Sequence, residues 1–220
     1  MKKVLLFVLM AVMLTVPVYA KKLPVKIGDK KITYKNGKVV KFSYAKDDYY
    51  RISYKGNKVI LKRNFQPLEE PQKIVYTYKK GKIVQEKYSL GGGMVATTKV
   101  KYKGKRICGT KTTISNCNGC VINGKIKTDK KGNMVKATFK SKDNSMSYGS
   151  IGYYCKNKYK KGRIVYQKVN VIDKMYERSS KYNLRKDKFK YKNFKMSKKK
   201  YRKAMAIVRY LNMPIYQGGI

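Results

Sequence analysis

One short pattern, repeated along the chain, limits what this sequence can fold into. In each copy an apolar or aromatic run leads through a tyrosine into a turn rich in lysine, asparagine and glycine, and a second apolar run leaves it. The copies occupy residues 32–40, 52–60, 75–84 and 100–107, with looser ones at 128–135 and 159–165. The tyrosines that end the first runs are spaced 20, 24 and 24 residues apart: Tyr34, Tyr54, Tyr78 and Tyr102. This spacing indicates one two-stranded hairpin per repeat.

The residues of the turns predict how the strands pair. If residues 35–37 form a three-residue loop with its glycine in the left-handed region, Tyr34 pairs with Lys38 and Ile32 pairs with Val40. The side chains that would then share one face are Ile32, Tyr34, Val40, Phe42 and Tyr44.

Two further turns give apolar faces in the same way. The same three-residue loop at residues 79–81 would group Ile74, Tyr76, Tyr78, Val84 and Tyr88. At residues 56–57 a two-residue turn fits better, and it groups Ile52, Tyr54, Val59 and Leu61. Because a slip of one residue would mix apolar and polar side chains on each face, the pattern indicates a defined register.

From these hairpins we predict an all-β fold. The fold is an antiparallel meander of about ten to thirteen strands, which must curl over its apolar face or close into a barrel. One C-terminal amphipathic α-helix is added to it. Ser197 is a good N-cap for a helix over residues 198–212, and Pro214 would stop it. Its apolar stripe consists of Tyr201, Ala204, Met205, Val208 and Leu211.

This helix has two interpretations. It can dock on the sheet and cover apolar surface, which a meander needs on one face. Alternatively, it can act as a basic amphipathic helix on an anionic membrane. We favour docking, because three lysines at the positive end of the helix dipole make a helix that needs tertiary support.

Residues 1–20 have the features of a secretory signal peptide. Lys2 and Lys3 precede an apolar run at residues 4–16, and Val18 and Ala20 stand at positions −3 and −1 of a cleavage site. The alternative is an uncleaved anchor, but the run is shorter than the ~20 residues that a spanning helix needs. We expect residues 21–196 to form the hairpin domain and residues 197–220 the helix and tail. The mature protein would then be secreted or associated with the cell envelope.

Composition excludes several kinds of catalysis. The chain contains no histidine, which removes histidine-dependent triads and histidine-ligated metals. The adjacent carboxylates at residues 47–48 and 69–70 would point to opposite faces of a strand, so neither pair suits a glycosidase. No glycine-rich phosphate loop is present. We therefore expect a non-enzymatic protein without a cofactor or a metal ion.

The four cysteines, in a chain predicted to be exported, favour structural disulfides. They are Cys108, Cys117, Cys120 and Cys155. Asn-Gly between Cys117 and Cys120 is a strong hairpin turn that would place these two directly opposite each other. Zinc binding and a redox motif are the weaker alternatives. Of the possible connectivities, we expect Cys155 to pair with Cys117 or Cys120.

The charge indicates a polyanionic partner. The chain has 55 Lys+Arg against 11 Asp+Glu, and 47 of the basic residues are lysine. Solubility requires a net charge of only ~2–8 for a small domain. The densest basic segment is residues 185–203, where aromatic residues are interleaved. The candidate polyanion-binding residues are Arg185, Lys186, Lys188, Lys190, Lys192, Lys195, Lys198, Lys199, Lys200, Arg202 and Lys203.

Three classes of partner fit this charge. We favour anionic cell-wall polymers or acidic glycans, with anionic membrane surfaces next. Interleaved basic and aromatic residues also suit single-stranded nucleic acid, but the predicted export and the dominance of lysine make it the less favoured partner. Two other functions remain open: an adhesin that binds protein or glycan through a tyrosine-rich face, and a cationic membrane-active protein that uses residues 197–212.

Two copies of the repeat resemble a known family. Tyr-x-Tyr-Lys-Lys-Gly-Lys-Ile at residues 76–83 and Thr-Asp-Lys-Lys-Gly-Asn-Met-Val at residues 128–135 are similar to the YD/RHS-type repeats of secreted and surface bacterial proteins. The resemblance covers residues 30–170 and implies stacked antiparallel hairpins. The sequence departs from that family in having lysine where aspartate is usual, and in having turns one residue shorter. We expect no toxin or self-cleaving domain to follow the repeats.

Overall fold

The computed structural model describes residues 19–65, 72–117, 120–141, 150–175 and 178–213. These residues form 14 strands and one helix. The strands are Tyr19–Ile27 (β1), Lys30–Lys35 (β2), Lys38–Ser43 (β3), Tyr49–Lys55 (β4), Lys58–Asn64 (β5), Lys73–Lys79 (β6), Lys82–Gly91 (β7), Met94–Lys103 (β8), Arg106–Ile114 (β9), Val121–Thr128 (β10), Met134–Ser141 (β11), Ser150–Lys160 (β12), Arg163–Met175 (β13) and Arg178–Met196 (β14). The helix is Lys198–Asn212 (α1).

The strands form a closed antiparallel barrel. Each strand pairs with its neighbours in the sequence, and β1 pairs with β14 to close the circle. The predicted all-β meander with a C-terminal helix is confirmed, although the number of strands exceeds the predicted ten to thirteen. β1 begins at Tyr19, just before the predicted cleavage position, and the rest of the predicted signal peptide lies outside the described residues.

The first hairpin turn is one residue shorter than the sequence suggested. Asn36 and Gly37 both have positive φ angles, 51° and 75°, as a two-residue type I′ turn requires. Tyr34 therefore pairs with Val39, and the predicted pairing with Lys38 is wrong.

A β-bulge follows this turn and restores the alternation of the strand. Val40 is the extra residue, so Ile32 stands opposite Phe42 and not opposite Val40 as predicted. Val39 and Phe42 are fully buried, whereas Val40 is only partly buried. The core-facing residue after the turn is thus the first member of the Val-Val pair.

The hairpin of β6 and β7 repeats this arrangement. Lys80 and Gly81 have φ angles of 46° and 84°, and Tyr78 pairs with Ile83. Ile83 is therefore the core residue, and the predicted position of Val84 on the core face is wrong. At residues 56–57 the predicted two-residue turn is confirmed. There Tyr54 pairs with Val59, and Ile52 pairs with Leu61.

Tyrosine hydroxyls join successive hairpins at the bulges. The hydroxyl of Tyr54 donates a hydrogen bond of 2.9 Å to the carbonyl of Val39, the residue just before the bulge of the preceding hairpin. Because a bulge interrupts the ladder of backbone hydrogen bonds, the hydroxyl supplies a partner at the interruption. Three other tyrosines bind the residue before a bulge in the same way, at 2.7–2.8 Å: Tyr34 to Pro24, Tyr102 to Ile83 and Tyr191 to Ile164.

The helix begins as predicted and covers one end of the barrel. Ser197 accepts a hydrogen bond of 3.3 Å from the backbone N–H of Lys200. α1 contacts β1, β3 and β7, on the barrel end that carries the turns at residues 36–37 and 80–81. Pro214 and the tail lie outside the described residues. The buried helix residues are Ala204, Ile207, Val208, Tyr210 and Leu211.

The buried face of α1 is broader than the predicted stripe. Ile207 and Tyr210 are buried in addition, while Tyr201 and Met205 are only partly buried. A helix that covers a barrel end contacts strands on several sides, so more of its surface is enclosed than on a flat sheet. Among the described helical residues, no segment is long and apolar enough to cross a membrane.

Candidate anion-binding surface

Over residues 186–191 the basic residues of β14 alternate with the aromatic ones, and strand geometry sends the two sets to opposite sides of the sheet. Side chains along a strand point alternately to either face. Phe189 and Tyr191 are partly buried, and Phe189 packs against the barrel core. Lys186, Lys188 and Lys190 are exposed. The predicted interleaving of base-stacking aromatics with lysines therefore does not form one surface.

The eleven predicted anion-binding residues divide into three groups. Those on the outer surface of β14 are exposed: Lys186, Lys188, Lys190, Lys192 and Lys195. Those on the exposed side of α1 surround its N-terminus: Lys198, Lys199, Lys200 and Arg202. Arg185 and Lys203 belong to neither surface.

Lys203 is engaged with the barrel end. Its Nζ lies 5.0 Å from the ring centroid of Tyr54 and 5.1 Å from that of Tyr78. The pKa of Lys203 is lowered from its usual value by partial burial and by the neighbouring charges of Lys38 and Lys199. This lysine therefore fastens α1 to the hairpin turns through cation–π contacts.

Outside the barrel, lysines of neighbouring strands stand directly opposite one another. On β12, β13 and β14, Lys156 pairs with Lys168, and Lys168 pairs with Lys186. Neighbouring strands are about 4.8 Å apart, so these ammonium groups form a row across the sheet. The sequence did not reveal this row, because it depends on the register of three strands.

Two further rows have the same geometry. On β2, β1 and β14, Lys26 stands between Lys31 and Lys190. A row of four spans β3 to β6, where each member is the direct partner of the next: Lys41, Arg51, Lys62 and Lys73. We call these three sets the cation rows. The row through Lys186 and the row through Lys190 meet on β14.

The cation rows have no acidic partners within the described residues. The ion pairs found there are Lys30–Asp187, Arg63–Asp48 and Arg185–Asp187, at 3.8, 2.9 and 2.9 Å. None of these pairs includes a member of the rows. Like charges directly opposite each other on a sheet destabilise it, so the rows are an electrostatic cost to the folded protein.

Arg185 faces inward and holds the end of α1. Its guanidinium pairs with buried Asp187 and donates a hydrogen bond of 2.6 Å from Nη2 to the carbonyl of Asn212. Asn212 in turn donates to Gln167 at 3.1 Å. Lys30 lies 3.8 Å from the other oxygen of Asp187. Burial, and secondarily the charge of Arg185, lowers the pKa of Lys30 to about 8.

A buried carboxyl lies deeper in the barrel and was not identified from the sequence. Glu86 is 4 % exposed and stands directly opposite Tyr76 on the neighbouring strand. Tyr210 of α1 packs on Tyr76 with ring centroids 5.0 Å apart. Burial raises the pKa of Glu86 to about 7, and the nearby Tyr210 hydroxyl limits that rise. The alternation of side chains along the strand could have identified it. Glu86 lies two residues from Tyr88 and therefore on the same face, which is otherwise predicted to be apolar.

Two of the four cysteines are bonded. Cys117 and Cys120 form a disulfide with each other. Cys108 is an exposed free thiol and Cys155 is a buried one, so the predicted pairing of Cys155 with Cys117 or Cys120 is wrong. Burial raises the pKa of the Cys155 thiol to about 12. Within the described ranges, no group of three or more acidic, cysteine or histidine side chains is placed to bind a metal.

The sequence matches no known protein family model, and no curated protein is significantly similar to it.

Proposed function

We propose that this protein is a secreted, non-enzymatic binding protein that associates with anionic polymers of the cell envelope or with acidic glycans. The observation that carries the proposal is the set of cation rows. Within each of the three rows, basic residues of neighbouring strands are direct cross-strand partners on the outer surface of the barrel. A polyanion that lies across the strands would meet positive charges at intervals of about 4.8 Å.

The energetics of the rows support a binding role. Directly opposed like charges in a sheet destabilise it by roughly 0.2–1 kcal/mol for each pair. The cost is offset when a polyanion supplies the opposite charge and releases its counterions. Lysines needed only for solubility could be placed opposite neutral residues, as Lys87 is placed opposite Val75 and Thr97.

The chemistry of the rows favours a polymer recognised mainly by its charge. Lysine is a compact point charge, whereas specific recognition of phosphates and bases commonly uses the planar fork of arginine. Phe189 and Phe194 of β14 pack against the barrel core, and Phe194 also contacts the ring of Tyr34, so neither ring offers the open stacking platform expected for single-stranded nucleic acid. Anionic cell-wall polymers and acidic glycans therefore fit better than nucleic acid.

The test compares two triple variants of equal charge. One variant replaces Lys156, Lys168 and Lys186 with glutamine and breaks a row. The matched control replaces three exposed lysines that stand opposite neutral residues: Lys87, Lys101 and Lys140. Binding to isolated cell walls that contain teichoic acid, and to heparin, is measured at low and high salt. We expect the row variant to lose about tenfold more affinity than the control.

Two results would contradict the proposal. One is binding by the unchanged protein that persists at high salt, because electrostatic association must weaken as ions screen it. The other is an equal loss of affinity in the two triple variants. Anionic vesicles serve as a further comparison. If residues 197–212 act on membranes, a chain that ends at Met196 keeps its fold and loses vesicle binding. We expect instead that this truncation chiefly destabilises the barrel, because Ala204, Ile207 and Val208 of α1 are buried in the intact protein.

A further inference from the structure

A cavity lies between α1 and the turn end of the barrel, away from the cation rows. Its volume is about 350 Å³, within the range of small-ligand sites. The floor is apolar and is formed by Ile83, Tyr102, Met205 and Met213. Ile83 and Met213 are buried, and the other two are partly buried. The floor thus offers apolar side chains beneath an opening to solvent.

The rim of the cavity is cationic. Lys80, Lys105, Arg202 and Arg209 line it, and no acidic residue in the described part of the chain does. The two arginines lie on α1 seven residues apart, which places them on the same side of the helix, about 10 Å from each other along its axis. Both are exposed, and so are the two lysines.

One further lysine of the rim already has partners. Lys82 donates from Nζ to the carbonyl of Gly104 at 2.5 Å and lies 4.8 Å from the ring centroid of Tyr102. These contacts fix one wall of the cavity. They leave Lys80, Lys105, Arg202 and Arg209 as the cations placed to receive an anion.

We propose that this cavity binds a single-chain anionic amphiphile. The hydrocarbon chain would lie on Ile83, Met205 and Met213, and a carboxylate, sulfate or phosphate head would lie among the rim cations. An acidic polymer would leave the apolar floor uncovered, and a neutral apolar molecule would leave the rim without a counter-charge. The ligand class that satisfies both parts carries one anionic head on an apolar chain.

The experiment is calorimetric titration of the whole mature chain with four twelve-carbon probes below their aggregation concentrations. Laurate and dodecyl phosphate carry anionic heads, dodecyltrimethylammonium carries a cationic one, and dodecyl maltoside is neutral. We expect one site per chain for the anionic probes, at least tenfold weaker binding of the neutral probe, and no binding of the cationic one. The two anionic probes distinguish a fatty-acid type of head from a phosphate type by their relative affinities.

Two variants locate the site. Ala206→Phe places a large side chain in the cavity, whose lining includes Ala206, and should abolish binding. The double variant Arg202→Gln and Arg209→Gln changes only exposed side chains and should weaken anionic binding at least tenfold. Its control of equal charge, Arg51→Gln with Lys62→Gln, lies in a cation row and should leave amphiphile binding unchanged.

Three results would overturn the proposal: equal affinity for the cationic and anionic probes, equal loss in the two charge-matched double variants, or unchanged binding by a folded Ala206→Phe protein. If Ala206→Phe does not fold, the charge-matched pair alone decides the outcome. Heparin binding, measured in parallel, should be unaffected by Ala206→Phe, which separates this site from the polyanion surface.

Discussion

Several tyrosines of this barrel both pack in its interior and donate a hydrogen bond from the hydroxyl to a backbone carbonyl. Tyr54, Tyr102 and Tyr191 each donate to the carbonyl of an aliphatic residue that precedes a bulge. A buried carbonyl that loses its partner carries the full desolvation penalty. The spacing of the tyrosines could be recognised in the sequence, but their hydroxyl partners could not, because those partners arise from bulges that the turn residues alone do not specify.

We predict that Tyr54→Phe destabilises the barrel by about 1–2 kcal/mol, because the carbonyl of fully buried Val39 loses its donor. The measurement is urea-induced unfolding. Tyr166→Phe is the matched control, since Tyr166 stands opposite Lys158 and Lys188 on the outer surface, and its cost should stay below about 0.5 kcal/mol. Equal effects of the two substitutions would contradict the role assigned to the bulge carbonyl.

Glu86 makes the stability of the protein depend on pH. The pKa of its carboxyl is about 7 in the folded state against 4.5 for an ordinary glutamate, chiefly because of burial. As the pH rises from 4.5 to 7, the unfolded chain loses this proton while the folded chain retains it. Stability therefore falls across this window and does not recover above it.

Between pH 4.5 and 7 we expect the free energy of unfolding of the unchanged protein to fall by about 2–3 kcal/mol because of Glu86, and we predict that Glu86→Gln abolishes this fall. The free energy of unfolding is measured by urea titration across that range for both proteins. Asp47→Asn, which also replaces one carboxyl by an amide, is the control, because Asp47 lies in the exposed segment between β3 and β4. Parallel profiles for Glu86→Gln and the unchanged protein would show that Glu86 is not titrating in this window.

At the scale of the element, a bulge beside the turn shifts the register, and the order of the turn residues does not decide whether a bulge forms. Gly104 begins the turn between β8 and β9, and that hairpin has a bulge at Cys108. Asn36-Gly37 and Lys80-Gly81 end with glycine, adopt two positive φ angles and are followed by a bulge. Gly56-Asn57 begins with glycine, and its hairpin pairs without a bulge. Adjacent apolar residues such as those at 39–40 are the local sign of a bulge. The same sign at 59–60 is followed by regular pairing, so it does not determine the register alone.

In the basic segment 185–203, the direction of each side chain depends on its position along the strand. Its composition predicts anion binding, and the lysines at residues 186, 188, 190, 192 and 195 are exposed. Arg185 is different because its odd position on β14 turns it inward toward Asp187. The strand period was available in the sequence, but the ionic partner was not, since Asp187 and Lys30 meet only through pairing of the barrel.

The N-terminus of α1 offers an element-scale prediction. Ser197 caps it, its first turn contains no acidic residue, and Lys198, Lys199 and Lys200 oppose the helix dipole. Ser197→Asp should stabilise the protein by about 0.5–1 kcal/mol at low salt, and Ser197→Ala should cost about 1 kcal/mol. Urea unfolding at two salt concentrations measures both. A gain from Ser197→Asp that does not shrink with salt would contradict an electrostatic cause.

At the scale of the whole molecule, a formal charge of +44 opposes compaction. The cation rows concentrate that repulsion where strands pair. We predict that raising sodium chloride from 20 to 500 mM increases the free energy of unfolding in urea by more than about 1 kcal/mol, because screening acts mainly on the folded state. The triple variant at Lys156, Lys168 and Lys186 should show a smaller increase than its control at Lys87, Lys101 and Lys140. An equal increase in the free energy of unfolding for the two triple variants would indicate that net charge, and not the pairing of lysines on neighbouring strands, causes the salt dependence.

Barrel closure was the feature of the fold that local sequence patterns could least specify. Hairpins could be recognised one by one from turns and alternation. The pairing of β1 with β14 joins residues such as Leu23 and Lys192, which are far apart in the chain, and no local pattern marks it.

Closure by the first and last described strands also imposes an order of events on folding. The hairpins can form one after another as the chain becomes available, but β1 has no partner on one side until residues 178–196 are present. Until then the growing sheet has two open edges, and open edges are sites of intermolecular association. Pairing between distant segments is slow because the loop must close first. β1 and β14 form the two edges that stay open until closure, and charged residues such as the lysines along them oppose association through an open edge.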